Sequence, residues 1–169
     1  MRLYHGSNRA FARVDLEKCR PYKDFGRGVY LTRLEAQAQD WAQKVTARAG
    51  TGRPIVMLFD FDETALLRLD TLVFGVPDAR WAHFVMNNRN RSWTAFDDPL
   101  SNHDAKYDLV EGPVANDDIA TTFSLFVRGL LDGEMLAKQL AYKDLNHQMS
   151  FHTERAVAYL RSAGSYELD

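Results

Sequence analysis

The sequence holds a single cysteine, Cys19, so neither an internal disulfide nor a cysteine-built zinc cluster is open to it. An apolar core must hold the fold together. No apolar run approaches the roughly 20 residues that span a bilayer, and the start, Met1-Arg-Leu-Tyr-His-Gly-Ser7, lacks the apolar segment of a secretory leader. The expectation is a soluble protein of a reducing cytoplasm, without a membrane partner. A dominant charge is missing too, because 21 Lys and Arg stand against 23 Asp and Glu for a net charge of -2. The basic footprint of a generic polyanion binder is therefore not there. Walker loops, GxGxxG, HExxH, GxSxG and EF-hand patterns do not occur. Gly26-Arg-Gly28 has no third glycine and opens no helix, which excludes the Rossmann fingerprint. The five histidines, at 5, 83, 103, 147 and 152, have no cysteine or carboxylate at metal-ligand spacing, so no metal is expected.

What is present fits one globular domain over residues 1–169, with 46% apolar and 26% charged residues. Arg2 to Tyr4 reads as a first strand halted by His5-Gly-Ser-Asn8, and Gly26 to Thr32 as a second, with β-formers flanked by glycines. The glycines let the backbone there come close to something bound. Between the strands, Arg20-Pro-Tyr-Lys-Asp-Phe25 mixes charge, proline and aromatics, as ligand-facing loops do. Thr32 and Glu35 have capping-box spacing ahead of a helix through Val45 that stops at Gly50-Thr-Gly52. Pro54 to Phe61 is a core strand apolar on both faces. Asp78 to Asn90 reads as a helix, Arg89 to Asp104 as a surface loop, and Tyr107 to Val110 as a strand leading into a turn and helix cap. Ile119 to Leu131 is an amphipathic stripe facing the core, with a further helix over Glu134 to Tyr142. Gln148 to Thr153 alternates as a strand does, and Glu154 to Ala163 is a last helix ended by Gly164. Short strands interrupted by helices, without regular βαβ alternation, give the α+β class.

Three strand-associated pieces carry candidate chemistry: Tyr4-His-Gly-Ser7, Gly26-Arg-Gly-Val-Tyr-Leu-Thr32 and Gln148-Met-Ser-Phe-His-Thr153. The first two resemble the His and Tyr motifs of the His-Tyr-Glu group of ADP-ribosyltransferases, to which diphtheria toxin and the poly(ADP-ribose) polymerases belong. Leu3 to Ser7, Cys19 to Thr32, Gly112 to Asp117 and Gln148 to Thr153 are together similar to a bacterial domain-of-unknown-function family regarded as ADP-ribosyltransferase-like and often seen in toxin–antitoxin contexts. The resemblance implies a split β core flanked by helices, with NAD as co-substrate and a protein or nucleic acid as acceptor. A bacterial toxin role, with an antitoxin protein as a partner, is implied in the same way.

On that resemblance His5 hydrogen-bonds ribose hydroxyls, the backbone around Gly6, Ser7 and Gly28 faces the dinucleotide, and Tyr30 stacks on the nicotinamide ring. Arg20 and Lys23 meet the pyrophosphate, a task that suits the planar fork of arginine best. Transfer from NAD passes through a cation-like sugar, so holding the substrate matters more than a strong acid. The third motif departs from the group, since the expected glutamate is Gln148, which orients a hydroxyl but is no base near neutral pH. Either the acceptor needs no strong base or a carboxylate elsewhere takes the proton, with Asp117 and Asp108 the first candidates and Glu154 next. Restoring the acid by Gln148→Glu is expected to keep or raise turnover. Water as the acceptor would make the chain an NAD glycohydrolase, and loss of activity would leave a non-catalytic NAD-binding module.

Overall fold

The structure, a computed structural model, describes residues 1–92, 98–115, 117–132, 135 and 146–169. Along the chain come β1 (Arg2–Ser7), β2 (Val29–Leu31), α1 (Glu35–Ala49), β3 (Ile55–Phe61), β4 (Thr71–Val73), α2 (Ala79–Arg89), β5 (Leu109–Pro113), α3 (Asp117–Val127), β6 (His147–Phe151), α4 (Glu154–Val157) and β7 (Leu160–Glu167), with single 3₁₀ turns at Leu16–Lys18 and Glu63–Leu67. The described strands form two sheets, one ordered β1-β3-β7 and the other β2-β6-β5-β4. All neighbours are antiparallel except the parallel β4 and β5. This is the α+β architecture expected.

Strand alternation sorts the side chains into layers. Leu3, Met57, Phe59 and Phe61 of the first sheet share a buried core with Val29, Leu31, Leu109, Met149 and Phe151 of the second. The opposite face of the first sheet packs Val56 against Ala38 and Ala42 of α1. On the second sheet that face carries Phe25, Phe74, Val110 and the α2 residues Trp81 and Phe84, with Tyr30 at the margin. A single bridge between Tyr4 and Thr32 joins the sheets, and beyond it β1 and β2 part to different partners. That divergence is the split from which the site is built.

Several elements depart from the sequence reading. β1 runs on through His5, Gly6 and Ser7, since each of them pairs with β3. Thr32 and Glu35 form no capping box, because the Thr32 hydroxyl caps Leu34 N–H at 3.1 Å while Glu35 accepts from the Tyr166 hydroxyl. Tertiary partners outcompete the local one. The last helix stops at Val157, and 160–167 forms β7 along the edge of β3. Gly164, at φ 115°, does not end a helix but sits beside a bulge in which the register skips Ala163. β4 was not expected at all. The polar stretch after Arg89 is no mere surface loop, since Ser101 and Asn102 are buried. The Ile119–Leu131 stripe is less covered than its period implies, with Val127 and Leu130 exposed. Of the helix expected over 134–142, all but Met135 lies outside the described residues. Among the described residues no helix is long and apolar enough to cross a membrane, and no cluster of His, Cys, Asp and Glu has the makings of a metal site.

Candidate functional site

At the split, His5 on β1 reaches β2 through its imidazole, with Nδ1 2.8 Å from the carbonyl oxygen of Tyr30. A carbonyl only accepts, so Nδ1 carries the proton. Burial holds the His5 pKa below its usual value against the pull of this bond, and nearby Lys23 pushes the same way. The ring is therefore neutral at pH 7 and its Nε2 is a bare acceptor. His5 thus meets Tyr30 at the main chain, while the Tyr30 ring turns into the loop before β2. The Tyr30 hydroxyl donates to Gly26 O at 2.7 Å and accepts from Phe25 N–H at 2.9 Å, and the ring stacks near Phe25 with centroids 6.3 Å apart. Tyr30 is thereby a fixed wall, with its hydroxyl fully used and its pKa raised by burial.

The second wall comes from α1. Lys23 Nζ lies 5.8 Å from the Tyr30 ring centre and 5.3 Å from that of Trp41, and the guanidinium of Arg48 also lies over Trp41. One ammonium thus lies over two aromatic faces. Burial lowers the Lys23 pKa, and the charges of Arg89, Arg20 and Arg48 add to the fall although Asp24 opposes it. Arg20 itself is exposed on the same loop. Ser7 closes β1 with its hydroxyl turned to Arg9 N–H at 3.3 Å.

The two motif glycines have reasons within the fold. A Cβ on Gly6 would lie 2.1 Å from Ala38 O, so this glycine is what lets α1 settle on β1. A Cβ on Gly28 would lie 2.5 Å from Phe151 O and 2.8 Å from His152 Nδ1. The close approach at Gly28 is therefore to β6, the protein's own strand. His152 is buried there with Nδ1 2.7 Å from Arg27 O and Nε2 2.7 Å from the Ser150 hydroxyl. Burial pushes its pKa down to about 4, so it is neutral, donates through Nδ1 and accepts from Ser150.

Gln148 and Tyr30 share one face of the second sheet, since Tyr30 pairs with Ser150 and Gln148 is the diagonal neighbour two residues on. The Gln148 amide nitrogen donates to Asp24 Oδ2 at 2.9 Å and to Pro113 O at 3.3 Å. Asp24 is buried, takes Arg89 Nε and Nη2 on Oδ1 at 3.0 and 2.7 Å, and accepts Ala115 N–H on Oδ2 at 3.0 Å. Arg89 also donates to Ala115 O at 2.9 Å. Asp24, Arg89 and Trp41 escaped the sequence reading. One signal for Asp24 was available, a carboxylate inside a loop already singled out for its mixed chemistry.

The other carboxylates fare differently. Of Asp117 only its place as the first residue of α3 is described. Asp108 precedes β5 at the end away from Gln148, which pairs with Gly112, so about 13 Å of strand separates them. It accepts from Thr153, Asp70 N–H and Arg155. Burial works to raise its pKa, but the bonds from Arg155 and Thr153 outweigh burial and hold it low. Asp108 is a clamp, not a base. Glu154 is exposed at the start of α4, beside a cavity of about 320 Å³ lined by Arg13, Phe59 and Leu160, apart from Gln148. Cys19 donates to Asp15 O, and burial raises its pKa, so no thiolate is on offer.

A family model described as "Protein of unknown function (DUF3990)" matches residues 1–162. No curated protein and no solved structure matches the chain.

Proposed function

Since the chain belongs to this family of unknown function and inherits no activity from it, we propose from the site that it is an NAD-dependent ADP-ribosyltransferase with the split-sheet fold of that group, acting on a protein or nucleic acid. The observation that carries the reading is the ammonium of Lys23, which lies over the rings of both Tyr30 and Trp41. The pyridinium of NAD is likewise a cation, and flat. Two such rings around one cation suit it on both counts once Lys23 swings out.

The polar groups fit the rest of the dinucleotide. His5 offers an acceptor at Nε2 to a ribose hydroxyl, and its neutrality keeps a positive charge away from the sugar. Gln148 offers Oε1 from the same face as Tyr30. Lys23 and the exposed Arg20 supply cations for the pyrophosphate. Bound NAD supplies the nicotinamide–ribose bond, whose breaking leaves positive charge on the sugar. The chain's part is to hold the ribose by its hydroxyls with uncharged acceptors and to grip the ring by its faces. The bacterial toxin role, and an antitoxin as partner, rest on the resemblance of the motifs.

The test is to incubate the purified chain with NAD labelled on the adenylate, with and without a bacterial extract. Free nicotinamide together with label on a macromolecule supports the transferase, and His5→Ala abolishes both signals in a protein that still unfolds cooperatively. Label remaining in solution as ADP-ribose makes water the acceptor. A wild-type chain that binds NAD saturably but releases no nicotinamide is a binding module, and one that does neither contradicts the proposal.

A further inference from the structure

Gln148 presents an amide where chemistry on a ribose hydroxyl calls for an acceptor, and an amide has two ends. Which end faces the site is decided by its neighbours. Asp24 Oδ2 and Pro113 O are both pure acceptors, at 2.9 and 3.3 Å, so only the NH₂ group can face them. Turning the amide over would set oxygen against oxygen at both contacts. Oε1 is then the outward end, and among the described residues nothing bonds it. Ser101 Oγ is the one fully buried side-chain polar atom there without a partner, so Oε1 keeps an opening to the site. Asp24 in turn cannot rotate away, because Arg89 and Ala115 N–H hold both of its oxygens.

We infer that Asp24 is a positioning residue, which locks Gln148 so that it shows only an acceptor oxygen to the ribose of a bound nucleotide. The inference rests on the NAD reading above. It makes Gln148 the working equivalent of a carboxylate in hydrogen bonding while leaving it uncharged. It also explains why an acid does not stand there: a carboxylate in its place would meet the Asp24 carboxylate at about hydrogen-bond distance, and two such groups cannot both ionise (the same like-charge effect that splits paired carboxylates in acid proteases). Asp24 is the reason for the glutamine. The expectation from sequence that Gln148→Glu keeps or raises turnover is thereby reversed at neutral pH.

The experiment follows nicotinamide release from NAD by the full chain and by Gln148→Glu, from mildly acidic to mildly alkaline pH. The variant should lose activity on the order of 10-fold to 100-fold at neutral and alkaline pH, the usual cost of disturbing a group that orients a site residue. Its activity should return as the pH falls, because one proton shared with Asp24 restores the single negative charge that the wild-type pair carries, whereas the wild type shows no such rise. Melting temperature is read in parallel. If the variant is too unstable to assay at neutral pH, its midpoint should climb on acidification while the wild-type midpoint does not. A Gln148→Glu chain as active as wild type at alkaline pH, or with an unaltered pH profile of both activity and melting, overturns the role of Asp24. A wild-type chain that releases no nicotinamide, beside a variant still stabilised by acid, overturns the ribose assignment and the NAD reading and leaves the lock between the two side chains standing as structure.

Discussion

Asp24 and Asp108 are both buried and both face an arginine, yet they stand at opposite ends of the β5–β6 pair and differ in what surrounds them. Around Asp108 every contact leads back into the fold, through Thr153 and Arg155 at α4 and through the Asp70 backbone ahead of β4. Around Asp24 three contacts lead into the fold and the fourth leads to Gln148, whose far oxygen is free. A closed network holds elements together. A network with one outlet holds a side chain toward something else. Burial and an arginine partner are therefore not enough to tell a clamp from a site, and the last hydrogen bond in the chain decides.

The sharpest way to break this comparison is to delete each carboxylate. Asp24→Ala strands a guanidinium that is about one-third exposed, an amide N–H and the Gln148 amide, and should cost about 4 kcal/mol of unfolding free energy together with nearly all turnover. Asp108→Ala leaves a more exposed guanidinium and should cost about 3 kcal/mol, with nicotinamide release per folded molecule unchanged. Urea unfolding and an assay at a temperature where both variants are folded read the two effects. Loss of turnover in folded Asp108→Ala would erase the distinction.

Acid should dissect the closed end next. His152 is held at a pKa of about 4 against an unfolded value of 6.5, so below pH 6.5 the unfolded chain gains a proton that the folded chain refuses. Stability is full above that pH and falls by about 3 kcal/mol as the pH drops from 6.5 to 4. His5 and His147, also lowered by burial, act in the same direction. Asp108, held below 3.8, adds its loss only at more acidic pH, since its stabilisation is present above its unfolded pKa and fades as the depressed one is passed. Denaturant titrations at several pH values should show the first loss shrink in His152→Gln and the second disappear in Asp108→Asn. The smallest effect belongs to the open end: Arg20→Ala, on an exposed loop, should leave the melting temperature alone and raise the KM for NAD a few-fold without changing kcat.

What the sequence disclosed follows from where its signals are local. Alternation and helical period located β2, β3, α1, α2 and β6, and the class followed from their order. β7 was hidden because Leu160 to Ala163 reads as the end of the helix that starts at Glu154, and pairing with β3, 99 or more residues away at every pair, made the choice. His5, Lys23, Tyr30 and Gln148 were named from motifs, and the structure joins them through Tyr30 O, the Tyr30 ring and Asp24. The partners that set their chemistry were not legible. Arg89 sits in a polar run that reads as solvent-facing, and its meeting with Asp24 spans 65 positions. The motif glycines were ambiguous in a different way, because room for a ligand and room for a helix or a neighbouring strand leave the same mark in a sequence.

The most direct measurement is a crystal structure of the chain with NAD bound. The account predicts the pyridine ring between Tyr30 and Trp41 in the place Lys23 Nζ now takes, and a ribose hydroxyl on Gln148 Oε1 with Asp24 still on its nitrogen. The dinucleotide settled instead in the cavity beside Arg13 and Glu154, with Lys23 unmoved over its two rings, would contradict it.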